Sequence, residues 1–408
     1  MARFLDVSIL KRNRSFALLY CGQFISFIGT MITMVALPFQ IYEATHSTVM
    51  VGMLSLAQLL PLLFTALLGG VLADRHARRR LLLISECLLA LGCIVLAINA
   101  GIEQPNLVVI FVIASLMSAI TGLHRPAFEG AIQQLVQEED YKTVGALRAF
   151  EFSFCMIVGP AITGLIVAAF GVTITYGLDF ITFLCSIISL IYLGPLPNPS
   201  RKSVVSIVHS LKEGIQFAWK RQVLLGSYCV DFVAMVFSMP TALFPAIALS
   251  IGGVKTLGLL YAAPAVGSLL LSLWSGWTAT IQHEGRAIAI SAACWGAAMI
   301  GFGLSHSLVL ALFFLALAGA FDACSGIFRA SLWNNAIPQE FRGRLAGIEM
   351  LSYLSGPKLG DTRAGLMAAT CGIGPAIISG GLLCMVGVWF CCYRMKEFWQ
   401  YKAEHHHD

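Results

Sequence analysis

The chain has few charged residues for its length. Lys, Arg, Asp and Glu make up 12% of its 408 residues, whereas soluble domains carry about 25%. Hydrophobic residues account for 58% of the sequence, and the mean hydropathy is +0.82. No polar stretch is long enough for a separate soluble domain. These deficits exclude a soluble globular protein and indicate a chain that resides in a lipid bilayer.

The sequence also lacks the motifs of several function classes. It contains no G-x-x-x-x-G-K-[ST] loop, no H-E-x-x-H motif and no G-x-S-x-G motif, so ATP-driven pumping and hydrolase chemistry lack their signatures. We therefore expect no enzyme activity and no cofactor, only a proton gradient. The twelve cysteines form no C-x-x-C pair and are expected to act as small apolar residues, without a metal.

Twelve apolar runs are long enough to cross a membrane. A spanning helix needs about 20 residues, and helices are the default because backbone groups in lipid must pair internally. The runs lie near residues 16–40, 49–73, 81–100, 107–136, 146–170, 172–194, 223–249, 256–280, 286–306, 308–336, 345–368 and 373–393. We predict an all-α integral membrane protein with twelve transmembrane helices.

The basic residues predict the orientation. If the N-terminus is cytoplasmic, 21 of the 26 Lys and Arg residues fall in cytoplasmic segments, as the positive-inside rule requires. Both termini are then cytoplasmic. The net charge of +5 follows from this bias and gives no indication of nucleic acid. We expect membrane lipid as a partner and no nucleic acid. His405 to His407 resemble a purification tag and carry no argument.

Two similar halves are joined by a polar linker. Residues 1–194 form one predicted six-helix bundle and residues 223–408 the other, with a cytoplasmic tail, while 195–222 contains apolar residues at the spacing of an amphipathic helix. At an offset of about 201, AFEGAIQQLVQEE (127–139) aligns with FRASLWNNAIPQE (328–340). Duplicated bundles imply a pseudo-two-fold axis along the membrane normal and a site between the halves.

Glycine-proline pairs recur in the fifth and eleventh runs. With a four-residue slip, Gly159 and Pro160 correspond to Gly356 and Pro357. Proline breaks the backbone ladder and glycine allows helices to approach closely. We expect these residues, together with Gly164, to be helix-packing positions.

One loop carries a family signature. GGVLADRHARRR (69–80) resembles the G-x-x-x-D-R-x-G-R-R loop of the major facilitator superfamily, although Ala77 stands where that family usually has glycine. IVGPAITG (157–164) is similar to the Gly-Pro motif of the superfamily's antiporters. The resemblance implies the major facilitator fold and conformational latches that break and form as the halves move; a purely topogenic positive cluster is the alternative. The latch candidates are Gly70, Asp74, Arg75, Arg78, Arg79, Gly285, Arg286, Arg342 and Arg344.

Longer segments are similar to one branch of that superfamily. Residues 231–248, 257–270 and 321–365 resemble the branch that contains the bacterial enterobactin exporter. The resemblance implies proton-driven antiport that exports a siderophore-like small molecule across the bacterial inner membrane, by alternating access, in a monomer. A multidrug or macrolide efflux pump is the runner-up, and a membrane receptor without transport is an alternative of another class. Proton-dependent counterflow in liposomes would separate a carrier from a receptor.

Ionisable residues inside the apolar runs are the candidate functional groups, because such groups are costly in lipid and usually face a cavity or a partner. Asp231 lies near the midplane of its span, where a carboxyl group could exchange protons; a buried, hydrogen-bonded aspartate is the alternative. The candidates for proton coupling are Asp231, Asp322, Glu129 and Asp179. The candidates for substrate binding are Arg125, Arg329, Lys358, Asp361 and Glu349.

Three pairs of charges occur within this set. Arg125 and Glu129 are four residues apart and share a helix face, either as a structural pair or as a gating pair. Asp322 and Arg329 lie two turns apart on one stripe. Lys358 and Asp361 either pair as inert packing or line a cavity, in which case Lys358 would favour an anionic, oxygen-rich ligand.

Overall fold

The structure, a computed structural model, describes residues 6–196 and 207–402. Within these ranges every regular element is a helix, which confirms the predicted all-α class. Besides short 3₁₀ turns, the helices are α1 Ser8–Arg12, α2 Arg14–Thr45, α3 Thr48–Arg75, α4 Arg78–Ala100, α5 Leu107–Leu135, α6 Tyr141–Tyr192, α7 Ile207–Trp219, α8 Gln222–Ser238, α9 Phe244–Ile251, α10 Val254–Leu273, α11 Glu284–Leu304, α12 Leu308–Ala336, α13 Gln339–Cys371, α14 Ile373–Arg394 and α15 Lys396–Gln400. His405 to His407 lie outside the described residues.

The helices account for the predicted membrane crossings. Ten segments of the described chain are long and apolar enough to span a membrane, with α8 and α9 together forming one of them. The segment that contains α6 is two crossings, because the backbone at Gly171 leaves the helical region. α13 falls outside the ten because charged residues occupy its middle. With both corrections the described chain contains twelve crossings.

The internal repeat is visible in the backbone. Gly171 and Gly372 lie 201 residues apart and have φ angles of 77° and 90°, which glycine adopts at little cost. α5 and α12 are both 29 residues long and begin 201 residues apart. Each is capped by a side chain, from Asn106 and Ser307 respectively, as helix N-termini prefer. The halves therefore share one helical plan.

The chain divides into two compact units. The first comprises Met1–Thr45 and Ala57–Val204, and the second comprises His46–Leu56 and Val205–Asp408. The boundary after Val204 falls inside the segment predicted as the linker. Part of that segment forms α7, which packs on α13 of the second unit through a stack of Phe217 on Phe341, 4.2 Å between ring centroids.

Glycine-mediated packing recurs within each unit. A Cβ atom at Gly159 would meet the side chain of Met31 on α2, and one at Gly356 would meet the side chain of Met235 on α8. Pro160 and Gly164 are buried beside the first contact. Small residues at these crossings let the helices approach closely. The two Gly-Pro pairs thus lie at matching helix crossings of the two units.

One predicted span contains a break. The run 223–249 is divided into α8 and α9, with Met239 and Pro240 in between and a 3₁₀ turn at Thr241–Leu243. Proline supplies no backbone N–H, and the last carbonyl groups of α8 lose their partners in the helix. The break therefore leaves a carbonyl-rich end and an N–H-rich start inside the second unit.

Candidate functional site

Three predicted charged residues meet in the second unit. Arg329 of α12 forms an ion pair with Asp231 of α8. A second guanidinium nitrogen of Arg329 lies 4.0 Å from the carboxylate of Asp322. The side chains of Arg329 and Asp231 are 11% and 8% exposed, whereas that of Asp322 is 41% exposed. The arginine thus links a buried acid to an accessible one. We call Asp231, Asp322, Arg329 and Glu349 the arginine cluster.

Glu349 of α13 is the fourth member of the arginine cluster. Its charge acts on Arg329 and on Tyr228 of α8. With all its carboxyl groups ionised, the cluster holds three negative charges and one positive charge. Of these acids only Asp231 is buried, since Asp322 is 41% exposed and Glu349 is exposed. The cluster therefore joins a buried ion pair to carboxylates that water can reach.

The depth of the cluster follows from the helix bounds. Asp231 is nine residues after Gln222, the start of α8, and Arg329 is seven residues before Ala336, the end of α12. At about 1.5 Å per residue, both lie roughly 10–14 Å from the same end of the second unit, which we call the linker side. Asp322 is midway along α12. The accessible acid is thus the most central member.

Two aromatic residues lie between the cluster and the linker side. Tyr228 of α8 stacks on Trp333 of α12, with ring centroids 5.1 Å apart. Trp333 follows Arg329 by one helical turn, so both lie on one face of α12. The indole Nε1–H of Trp333 and the Nε–H of Arg329 are buried and have no hydrogen-bond partner among the described residues. The face therefore presents two N–H donors.

Asp361 has a different environment from the arginine cluster. Its carboxylate is 8% exposed and accepts hydrogen bonds from Thr241 Oγ1 at 2.5 Å, Ala242 N at 2.8 Å and Ser55 Oγ at 3.1 Å. Lys358 acts on it electrostatically. Asp361 thereby holds the 3₁₀ turn after the α8–α9 break, and it supplies the negative charge that a helix start favours.

Arg363 binds the other side of the same break. It donates to the carbonyl oxygens of Phe237 at 2.9 Å and Val236 at 3.2 Å. These are the last carbonyls of α8, where positive charge is favourable. α13 therefore caps both ends of the break, with an acid at the helix start and a base at the helix end. Asp361 and Arg363 therefore have structural contacts at the break, and the predicted role of Lys358 in substrate binding stays a prediction.

The first unit contains a comparable charged group. Arg148 of α6 donates to Glu129 of α5 at 2.5 Å and lies over the Phe128 ring, 5.0 Å from its centroid. Glu151 is 6% exposed and is coupled to both residues electrostatically. Arg125 is exposed on α5. Neither Arg148 nor Glu151 is among the candidate residues that the sequence predicts.

Asp179 and Glu86 hold the helices of the first unit together. Asp179 is fully buried and accepts hydrogen bonds from Thr33, from Cys93 at 3.3 Å and from Thr182 at 3.1 Å. Glu86 is 1% exposed; its carboxylate is bound by Gln23 at 2.7 Å, Ser26 at 3.1 Å and His124 at 3.0 Å. Both carboxylates are well supplied with donors, as buried acids require.

The signature loop is held by backbone contacts within the first unit. Arg78 donates to the carbonyl of Gly130. Arg79 donates to Leu190 O at 2.8 Å and Ile191 O at 3.0 Å, near the end of α6. A Cβ atom at Gly70 would meet nothing within 4 Å, and Arg75 is exposed. The side chain of Asp74 lies outside the described residues.

The corresponding loop of the second unit contacts the C-terminal helix. A Cβ atom at Gly285 would collide with the carbonyl group of Phe398. Arg286 lies over the Trp399 ring, 5.6 Å from its centroid. The side chains of Arg342 and Arg344 lie outside the described residues. Gly285 and Arg286 therefore hold α15 against the start of α11, and their predicted role as latches stays a prediction.

The structure thus assembles part of the predicted site. Asp231, Asp322, Arg329 and Glu349 meet in the second unit, whereas Lys358 and Asp361 form a separate group farther along α13. No group of three or more His, Cys, Asp and Glu side chains in the described ranges could hold a metal ion. Sequence reasoning missed Trp333 and Ser55 because neither side chain carries a charge. Their contacts with Tyr228 and Asp361 would indicate a role, but those two partners are distant in the sequence.

Comparisons with known proteins agree with this architecture. A family model described as "Transmembrane secretion effector" matches residues 10–406. The enterobactin exporter EntS of Citrobacter koseri is 29% identical over 391 residues, which cover 94% of this chain and 92% of that protein. EntS of Shigella boydii is 30% identical with the same coverage of both proteins. The similarity extends over both halves.

Solved structures share the fold at lower identity. The nucleoside transporter NupG has a TM-score of 0.76 and 12% identity, over 94% of this chain and 99% of that chain. A POT family transporter in complex with 5-aminolevulinic acid has a TM-score of 0.72 and 13% identity, over 95% and 97% of the two chains. At these identities the likeness concerns the fold alone.

Proposed function

This chain belongs to the major facilitator superfamily, in its transmembrane secretion effector family, and from that premise we propose that it exports a siderophore-like, anionic small molecule from the bacterial cytoplasm. It is a multi-pass membrane transporter. Export would use the proton gradient across the inner membrane, and the curated relatives named enterobactin exporters support the substrate class.

The observation that carries the proton coupling is the arginine cluster. A buried ion pair between Asp231 and Arg329, with Asp322 at 4.0 Å and 41% exposed, gives a carboxylate that can reach water and another that depends on the arginine. Ionisable groups within a span mark ion and substrate pathways. Asp179, by comparison, is fully buried and surrounded by donors, which suits a structural tie.

The test uses the purified full-length protein in liposomes. Enterobactin inside or outside the vesicles should exchange by counterflow, and an imposed pH gradient should drive its net movement. Asp231→Asn should keep counterflow while losing the response to the gradient. Glu103→Gln, at an exposed position, is the matched control. Absence of enterobactin counterflow would reject the siderophore assignment, and transport of macrolides instead would support the drug-efflux alternative.

A further inference from the structure

The first unit contains a buried acid that no donor contacts. Glu151 of α6 is 6% exposed, and no described residue donates a hydrogen bond to its carboxyl group. The hydroxyl group of Tyr20 instead donates to Leu147 O at 2.9 Å, and the thiol group of Cys155 donates to Phe24 O at 3.8 Å. A buried carboxyl group without a donor is more stable in its neutral, protonated form.

A cation one helical turn away points to another acid. Arg148 precedes Glu151 by three residues, so both side chains lie on one face of α6. The guanidinium group of Arg148 nevertheless donates to Glu129 of α5 at 2.5 Å and lies over the Phe128 ring. Its Nε–H is buried and has no acceptor among the described residues. A donor without an acceptor and an acid without a donor are thus neighbours on one helix.

We propose that Glu151 is a proton-binding site in addition to Asp231, and that its proton determines whether Arg148 pairs with Glu129 or with Glu151. With the proton bound, Glu151 is neutral and Arg148 stays on Glu129, as in this structure. Once the proton leaves, the buried carboxylate attracts Arg148 more strongly than the exposed one, because charges are screened less in the interior. The Nε–H of Arg148 then gains an acceptor. The site binds a proton alone, whatever substrate the transporter carries.

The exposure of the two acids makes this exchange possible. The side chain of Glu129 is 44% exposed, so water can stabilise its charge after Arg148 has left. Along α6, Glu151 is ten residues and Arg148 seven residues after Tyr141, or about 15 Å and 10 Å from the start of the helix. The guanidinium group therefore moves away from the helix start. In both states the buried part of the group has no net charge.

The surroundings of Glu151 contain one cation that can take this role. α4 packs against α6, but its buried acid Glu86 has its own donors, and its Arg79 binds carbonyl groups at the far end of α6. The acids of the 3₁₀ turn before α6 end at Asp140, about 16 Å from Glu151 along the helix. Among the groups that act on Glu151 in the described chain, Arg148 alone is positively charged. Those groups come from α2, α5 and α6, and they are Tyr20, Cys21, Glu129, Arg148 and Cys155.

The proton on Glu151 has a different effect from the proton coupling proposed at Asp231. While it is bound, Arg148 joins α6 to α5 through Glu129, and after its release Arg148 pairs within α6. Low pH therefore favours the ion pair between the two helices, and high pH favours its loss. The response to a proton gradient is proposed for the arginine cluster, whereas Glu151 makes a helix contact of the first unit sensitive to pH itself.

The experiment is infrared spectroscopy of the full-length protein in lipid nanodiscs, titrated with pH. A protonated carboxyl group has a C=O stretching band that an ionised one lacks. We expect the wild type to show such a band near neutral pH that is missing in Glu151→Gln. In Glu129→Gln, Arg148 can pair with Glu151, so the band should disappear at a pH about one unit lower. Glu103→Gln, at an exposed position, is the control and should leave the titration unchanged.

A double variant separates the movement of Arg148 from a direct effect of charge. In Arg148→Gln the band should persist to a pH about one unit higher, and the addition of Glu129→Gln should then change little. Three results would overturn the proposal: the wild-type band in Glu151→Gln, an unchanged titration in Glu129→Gln, and an equal effect of Glu129→Gln with and without Arg148. No substrate is present, so failure here leaves the proposed export function intact, and absence of enterobactin counterflow leaves the proton site intact.

Discussion

Removal of the Asp361 carboxylate should loosen the break between α8 and α9. Its three donors come from two segments, Ser55 on α3 and Thr241 and Ala242 in the 3₁₀ turn. In Asp361→Ala the Ala242 N–H, on a residue 2% exposed, loses its acceptor, and the turn loses a favourable charge at its start. The substitution therefore acts on a defined set of backbone amides.

The size of the effect follows from these contacts. A buried donor left without an acceptor costs about 1–3 kcal/mol, and the lost charge at the helix start adds about 0.3–1 kcal/mol. A decrease of about 3 kcal/mol in the free energy of local opening corresponds to roughly hundredfold faster amide exchange. Asp361→Asn keeps the acceptor oxygen and should accelerate exchange only about tenfold.

Hydrogen exchange with mass spectrometry measures this directly on peptides that cover 239–251. Arg363→Gln should accelerate exchange less there, because that side chain binds carbonyl groups at the end of α8. Glu103→Ala, at an exposed residue, is the control for a general effect of charge removal. If Asp361→Ala folds and its 239–251 peptides exchange at the wild-type rate, the acid does not hold the turn and the capping argument fails.

Three further substitutions test the packing of the units. Gly159→Leu should lower the thermal midpoint of unfolding in detergent by several degrees, because a Cβ at this position would collide with Met31. Gly145→Leu is the control, since a Cβ there meets nothing within 4 Å, and it should leave the midpoint unchanged. Equal shifts in the two variants would contradict close packing at Gly159. Arg79→Gln should speed amide exchange at the end of α6, where it binds two carbonyls, and Arg80→Gln should not. Gly285→Leu should displace α15 and expose it to proteases, and a tail as resistant as in the wild type would refute that contact.

The repeat could be predicted from sequence because it rests on local signals. Each of these signals lies within one segment of the sequence, whether it is an apolar run, a proline or a glycine at a fixed interval. Gly171 and Gly372 show the same principle in the backbone, since each is a position where only glycine adopts the required φ easily. The stripe of Asp322 and Arg329 was predicted for the same reason, because helical periodicity relates residues seven apart.

Contacts between residues on different helices could not be predicted from such local signals. Arg363 binds a carbonyl 126 positions away, and Ser55 binds Asp361 across 306 positions. The sequence places Lys358 and Asp361 on one face of a helix, whereas the main donors to Asp361 come from other segments. The sequence alone does not indicate Arg148 and Glu151 as functional residues: both lie within the predicted run 146–170, and the partner of Arg148, Glu129, is on another helix, α5.

The polarity of the ion pairs differs between the duplicated units. In the first unit the acid Glu129 is on α5 and the base Arg148 is on α6. In the second unit the base Arg329 is on α12, the counterpart of α5, and it pairs with the acid Asp231 on α8, while the charge of Glu349 on α13 also acts on it. Reversal of a pair leaves its mutual attraction nearly unchanged. Stability alone therefore does not determine which helix carries the acid and which carries the base. The functional effect of the arrangement depends on the neighbouring residues.

Those neighbours differ in their exposure to water. Glu129, which pairs with Arg148, is 44% exposed, whereas Asp231, which pairs with Arg329, is 8% exposed. Because water and salt screen an exposed charge far more than a buried one, a change of charge at Asp231 has the larger electrostatic effect on its surroundings. Neutralisation of Asp231 should therefore alter proton coupling far more than neutralisation of Glu129, which the liposome assay can compare under one imposed gradient.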